Sequence, residues 1–84
     1  MSDVLANFEA FEGVVTTPTT LTFNRKSRKI VITNDHPVEP MYFKFNDSES
    51  YGTLDGTETL SLYFTSDKII LNGSNATYRV WVFG

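Results

Sequence analysis

The fold is decided by residues 76–84, whose sequence is ATYRVWVFG. In an extended strand, successive side chains point to opposite faces of the sheet. Alternation therefore gives this strand one apolar face and one aromatic, cationic face, namely Tyr78, Val80 and Val82 on the first and Arg79, Trp81 and Phe83 on the second. Trp, Phe and Arg are the residue types enriched at protein–protein contacts. We therefore expect the first face to pack on the core and the second face to bind a partner.

Further alternating or β-branched runs occur from residue 19 onward. The predicted strands cover residues 19–24, 29–33, 40–46, 58–65 and 68–71, in addition to the terminal strand. Polar residues with Gly or Pro separate them, including an Asn72-Gly73 turn signal and a predicted loop at residues 47–56. Short strands at this spacing, without a convincing helix, predict an all-β fold, a small antiparallel sandwich or barrel of about six to eight strands.

Residues 1–18 differ from the rest and predict an N-terminal arm before a β-sandwich domain at residues 19–84. Val4, Phe8 and Phe11 fit a helical stripe, but Phe8 also fits strand alternation. An extended, strand-like arm is favoured over a short helix or an irregular segment. Because a buried Phe contributes roughly 1.5–3 kcal/mol, we expect Phe8 and Phe11 to pack on the sandwich or to bind a neighbouring subunit as a second tether. Removal of residues 1–12 is then expected to leave a folded sandwich.

Composition and length exclude several classes of protein. The chain has 84 residues, no cysteine and a formal net charge of −3. This length corresponds to one domain, and the lack of cysteine excludes disulfides and thiolate metal sites. The acidic balance argues against nucleic-acid binding, although the basic run at residues 25–29 could form either a solvated turn or a rim that meets an acidic partner. No signal peptide and no membrane span are predicted, so synthesis in a cytosol is expected.

The residues that usually carry catalysis or bind metals are scarce. His36 is the only histidine, which nearly excludes a Ser–His–Asp triad or a multi-histidine metal site. Asp47, Glu49, Asp55 and Glu58 lack the spacing of a calcium-binding loop. No glycine-rich phosphate loop occurs. We therefore predict a protein that is not an enzyme and that has no cofactor and no metal.

Aromatic residues leave one binding function open. Tyr42, Tyr51, Tyr63 and Trp81 could stack against sugar rings and make the chain a carbohydrate-binding module. Such a platform requires all four side chains on one exposed surface. Aromatic residues in strands belong more often to a core or an interface, so we favour a structural role.

Three segments carry a resemblance to a known group of proteins. KIVITND at residues 29–35, GTE at 56–58 and YRVWVFG at 78–84 together resemble small virion proteins of tailed bacteriophages. In that group a short β-sandwich often ends in an aromatic strand and a final glycine. The resemblance covers residues 19–84 and implies a structural protein without an active site.

The resemblance also implies a place and a partner. It indicates a capsid decoration, or cement, protein on the capsid surface of the virion, which binds across neighbouring subunits of the major capsid protein and stabilises the shell. The protein is expected to form a homo-oligomer and to bind neither nucleic acid nor membrane. A tail- or fibre-associated component of the virion is the alternative. In each case Arg79, Trp81 and Phe83 are the predicted anchors, with Phe8 and Phe11 as the tether.

Overall fold

The structure, a computed structural model, describes residues 8–46 and 50–84. Within these residues the chain forms eight β-strands and no helix. The strands are β1 (Phe8–Val15), β2 (Thr19–Thr22), β3 (Lys29–Asn34), β4 (Met41–Lys44), β5 (Gly52–Leu54), β6 (Thr59–Leu62), β7 (Lys68–Gly73) and β8 (Ala76–Phe83). The predicted all-β fold is confirmed.

The strands form two antiparallel sheets that pack face to face. The first sheet has the order β1-β8-β3-β6, and the second sheet has the order β2-β7-β4-β5. The β4–β5 connection stays within one sheet, whereas the other connections cross from one sheet to the other. This strand order is that of a jelly roll, in which two Greek keys form a double sheet.

Apolar side chains from both sheets fill the space between them. On β8, buried residues alternate with partly exposed ones along the whole strand, as the sequence predicts. The side chains with 0–2% exposure include Ile30, Ile32, Met41, Ile69, Leu71, Val80 and Val82. They belong to one continuous hydrophobic cluster. The interior of the sandwich is therefore a packed core.

Residues 8–15, predicted as part of a separate arm, form an edge strand of the first sheet. β1 pairs with β8 over its whole length, from Phe8 opposite Phe83 to Val15 opposite Ala76. Val15 is fully buried. The sandwich therefore begins within the predicted arm and not at residue 19. β3 pairs with only one edge of β8, and β1 is the hydrogen-bonding partner of the other edge.

Phe11 belongs to the core side of β1. It packs against the buried cluster, and its ring centroid lies 6.0 Å from that of Phe23. Its Cα partner is Val80, whose side chain is fully buried. The prediction of Phe11 as a tether to a neighbouring subunit is therefore corrected: Phe11 completes the monomer's own core. Residues 1–7, with Val4, and the side chain of Phe8 lie outside the part of the chain that the structure describes.

Two turn predictions differ from the structure. β5 (Gly52–Leu54) lies in the stretch predicted as a loop, and pairs with β4 so that Leu54 faces Met41. Three residues with one buried side chain are too few to show alternation in the sequence. The Asn72-Gly73 pair lies within β7, and the chain turns at the next two residues, where Asn75 has a φ of 83°. Asn tolerates this left-handed region better than most residues.

A buried amide holds the loops at one end of the sandwich. The side chain of Asn34, at the end of β3, is fully buried. Its Nδ2 donates to the carbonyl oxygens of Glu39 at 2.7 Å and Leu54 at 3.1 Å. Its Oδ1 accepts a hydrogen bond from the N–H of His36 at 3.1 Å. One side chain thereby joins the β3–β4 connection to the end of β5.

We predict that Asn34→Ala lowers the free energy of unfolding by about 2–4 kcal/mol, because each backbone group that loses its partner away from water costs roughly 1–3 kcal/mol. Chemical denaturation followed by circular dichroism measures the change. Asn24→Ala, at an exposed position, is the control and should stay within about 0.5 kcal/mol of wild type. Equal stability of the two variants would contradict the role assigned to Asn34.

A second prediction tests whether β1 belongs to the domain. Phe11→Ala should destabilise the isolated protein by about 2–3 kcal/mol, below the 3–5 kcal/mol of a fully buried Phe because Phe11 is half-buried. Val14→Ala, on the opposite face of β1 and 59% exposed, should change little. Removal of residues 1–12 should abolish cooperative thermal unfolding, in contrast to the expectation from the sequence. Cooperative unfolding of the truncated protein would instead support the prediction that the N-terminal residues form an arm separate from the sandwich.

Candidate interaction surface

The outer face of the first sheet carries the aromatic residues of β8. Strand register sets their neighbours: Trp81 lies between Ala10 of β1 and Val31 of β3. Trp81 is half-buried, as expected beside an alanine and a valine on an otherwise open sheet face. We call the set formed by Lys29, Val31, Tyr63, Arg79, Trp81 and Phe83 the outer aromatic face.

The side chain of Arg79 lies over the indole ring of Trp81 and is held there by the carboxylate of Asp35, in the connection between β3 and β4. Its guanidinium carbon lies 5.4 Å from the centroid of the Trp81 ring. Its Nε and Nη2 donate to the two carboxylate oxygens of Asp35 at 2.6 Å and 3.0 Å. These hydrogen bonds and the charge of Asp35 raise the pKa of Arg79, with a smaller contribution from the charge of Glu12. A bidentate pair fixes the plane of the guanidinium, so Arg79 presents a fixed cation beside an aromatic ring.

A second cation lies among rings at the other end of the same face. Lys29 Nζ is 5.4 Å from the centroid of the Tyr63 ring and 5.9 Å from that of Phe83. Tyr63 is 82% exposed. Cation–π contacts at exposed sites are worth about 0.5–1 kcal/mol each, which is enough to bias the rotamers of these long side chains. The face therefore combines exposed aromatic area with the ammonium group of Lys29 and with a guanidinium whose charge Asp35 balances.

The structure brings together three of the five predicted anchors. Arg79, Trp81 and Phe83 lie on one outward face, as strand alternation predicts. Phe11 lies on the inward face of its strand, and the side chain of Phe8 is outside the described part. Sequence reasoning did not identify Lys29 and Asp35 as members of this surface. Their contacts depend on strand register and on a loop, and no local pattern signals either one.

The four aromatic residues considered as a sugar platform do not share a surface. Tyr63 and Trp81 lie on the outer face of the first sheet. Tyr42 pairs with Asn72 and Thr53 in the second sheet and is 36% exposed. The ring of Tyr51 lies 4.5 Å from Nζ of Lys44, which follows Tyr42 on β4. The four rings are therefore divided between two opposite sides of the sandwich.

Residues with catalytic potential have structural roles where the structure describes them. The ring Nδ1 of His36 accepts the N–H groups of Val38 at 3.1 Å and Glu39 at 3.0 Å, so His36 organises its own turn. Glu58 Oε1 accepts the N–H of Asp55 at 2.7 Å, whereas Asp47 and Glu49 lie outside the described residues. Within residues 8–46 and 50–84, no three His, Cys, Asp or Glu side chains lie close enough to hold a metal ion. The same residues include no helix of a length and hydropathy suited to crossing a membrane.

Comparison with known proteins identifies related folds. No family model and no curated protein matches the chain. A transcriptional regulator of the HTH_3 family from Vibrio cholerae superposes with a TM-score of 0.70 at 14% identity, over 100% of this chain and 46% of that protein. A cupin-2 domain protein from Shewanella frigidimarina gives a TM-score of 0.60 at 9% identity, over 93% and 72% of the two chains. The Fe(II) form of HppE gives 0.56 at 6% identity, over 90% and 42%.

At these identities the likeness concerns the fold alone. This chain spans less than half the length of the regulator and of HppE. The same sandwich thus occurs within a transcriptional regulator, a cupin-2 domain protein and HppE. A shared fold therefore does not identify a function. The chain is a small all-β domain with two four-stranded antiparallel sheets.

Proposed function

We propose that the chain is a non-enzymatic structural protein that binds a larger protein assembly through its outer aromatic face. The observation that supports this proposal most directly is the half-buried, outward-facing Trp81, with Arg79 fixed beside it by Asp35. Trp and Arg are the residue types that most often dominate the energy of protein interfaces. On the opposite side of β8 the core is complete, so the domain does not need this face in order to fold.

The surface suits binding because it is largely organised before a partner arrives. Its residues project from paired strands, and the ion pair restricts Arg79. Binding usually costs about 0.5–1.5 kcal/mol for each long side chain that has to be immobilised. The ion pair with Asp35 already restricts Arg79 in the free protein, so binding need not immobilise that side chain again. A partly apolar partner surface with an acidic group near Lys29 would complement this face, since Asp35 already balances the charge of Arg79.

We propose further that the assembly is the capsid of a tailed bacteriophage, with this chain as a decoration protein. The resemblance of residues 29–35, 56–58 and 78–84 to small virion proteins supports this. The jelly-roll architecture is also common among viral capsid domains, which is support by analogy. A protein that binds assembled subunits more tightly than free ones stabilises the shell through linkage. Attachment to the tail or a fibre would use the same surface, and a homo-oligomer on the particle is part of the proposal.

Sugar binding is the weaker candidate. Jelly rolls also include lectins, but the aromatic residues are divided between two sides of the sandwich. Tyr63 and Trp81 alone remain on the proposed face. A sugar-binding surface also needs polar groups that fix hydroxyl positions, and the polar groups beside Trp81 are engaged in the Arg79–Asp35 pair.

The proposal predicts the effect of Trp81→Ala. Binding to phage particles that lack the protein should weaken by more than about 2 kcal/mol, since a central Trp anchor typically contributes that much. Thermal unfolding should stay cooperative, because Trp81 lies on the outer face of the sheet. Titration of purified protein onto the particles measures the affinity, and circular dichroism measures unfolding.

Tyr42→Ala is the matched control, because Tyr42 is an exposed aromatic residue on the outer face of the other sheet. It should bind as wild type does. Wild-type affinity of Trp81→Ala would refute the proposed surface. Absence of binding by the wild-type protein to any particle component would refute the proposed assembly. A glycan array signal that Tyr63→Ala removes would favour the sugar-binding alternative instead.

A further inference from the structure

One motif of the sequence, the Asn72-Gly73 pair, has no role in the outer aromatic face. It forms the last two residues of β7, and both residues are partly exposed. β4 pairs with this end of β7, with Tyr42 opposite Asn72 and Met41 opposite Gly73. β2, on the other side, pairs with β7 only as far as Leu71. Within the described part of the chain, the motif is therefore held in a ladder along one edge only.

The side chain of Asn72 folds onto the backbone of the next residue. The Gly73 N–H donates to Asn72 Oδ1 at 2.9 Å. Because Oδ1 is bonded directly to Cγ, this contact also holds the carboxamide carbon beside the Gly73 nitrogen. Closeness of two reacting atoms in a fixed geometry strongly favours an intramolecular reaction. The nitrogen therefore lies next to the carbon that it can attack to close a five-membered ring.

Glycine at position 73 keeps this nitrogen accessible. A side chain on the residue after an asparagine would crowd the nitrogen and restrict the backbone rotation that ring closure requires, and glycine has no such side chain. This feature distinguishes Asn72 from the rest of its type. Every other asparagine of the chain precedes a residue with a side chain, namely Phe8, Arg25, Asp35, Asp47 and Ala76.

From this geometry we propose that Asn72 is a site of spontaneous deamidation in the folded protein. Hydroxide from the solvent takes the proton of the Gly73 N–H, and the nitrogen forms a bond to Asn72 Cγ. The bond between Cγ and Nδ2 then breaks. Nδ2 takes a proton from water and leaves as ammonia, which regenerates hydroxide and leaves a cyclic succinimide. Water opens this ring at either carbonyl and gives aspartate or isoaspartate.

Deamidation changes the charge and the backbone at this end of the second sheet. Either product adds one negative charge to the formal net charge of −3. The new carboxylate lies beside Tyr42 on the outer face of the sheet. Isoaspartate also inserts one carbon into the main chain, directly before the pair formed by Gly73 and Met41. The last rung between β4 and β7 is then out of register.

Incubation of the full-length protein at mildly alkaline pH, followed by trypsin digestion and mass spectrometry, tests the proposal. Cleavage after Lys68 and Arg79 releases residues 69–79, which contain both Asn72 and Asn75. Fragmentation of this peptide should locate the mass change from amide to acid at Asn72. Asn75 is the internal control and should keep its amide over the same period. An unchanged Asn72, or equal rates at the two positions, would overturn the proposal.

The same measurement on the protein in guanidinium chloride separates the effect of the fold from that of the sequence. Asn72 should deamidate in the folded protein at a rate within about tenfold of the denatured rate, because a misplacement of the reacting atoms by about 1 Å would slow the reaction about 100-fold. A folded rate below this range would show that β7 protects Asn72, and the proposal would be wrong.

Asn72→Gln is the matched variant, since it keeps an amide at this partly exposed position but can close only a larger ring. It should lose the mass change in residues 69–79 while circular dichroism shows the native β-sheet signal. Asn75→Gln should deamidate as the wild type does. An undiminished mass change in this peptide of Asn72→Gln would place the modification at another residue and exclude Asn72.

Discussion

The structure depends on the pairing of β8 on both of its edges. β1 pairs with one edge and β3 with the other, so β8 is a central strand of the first sheet. Because side chains alternate along a strand, its register decides every position of that sheet at once. A shift by one residue would bury Arg79 and Trp81 and expose Val80 and Val82. The core and the outer aromatic face are therefore two results of one constraint.

Two buried polar residues fix the connections between strands at the two ends of the apolar core. Asn34 holds the connections at one end of the sandwich, and Ser27 holds those at the other. In a jelly roll most connections cross between sheets, so their backbone groups cannot join a ladder and need other partners. Among the described residues, no buried side-chain nitrogen or oxygen lacks a hydrogen bond.

The sequence predicts the elements whose pattern is local. Alternation identifies β8 and its two faces, and β-branched residues identify β3. β5 is missed because three residues are too few to show an alternating pattern. The Asn72-Gly73 pair wrongly predicts a turn, because it lies within β7 and the chain then crosses to the other sheet without forming a hairpin. β1 is assigned to an arm because its sequence fits two periods, and only its pairing with β8 selects one.

The candidate surface is predictable to the same extent. Trp81 and Phe83 are placed correctly on the outer face because their positions follow from alternation alone. The Arg79–Asp35 pair joins residues that are distant in sequence, and the position of Lys29 between two rings depends on the register of β3 against β8. Such contacts have no local signature. The binding role of the surface remains a prediction.

The central position of β8 also has a consequence for biosynthesis. β8 is the last strand of the sandwich to be made, yet both β1 and β3 need it as a partner. On the ribosome, β1 must therefore remain without its ladder until residues 76–83 have emerged. Strands that pair over such long separations form slowly, and their unpaired edges are open to other chains during that time. The edges of β1 and β3 that face β8 therefore stay open to non-native pairing until that strand is available.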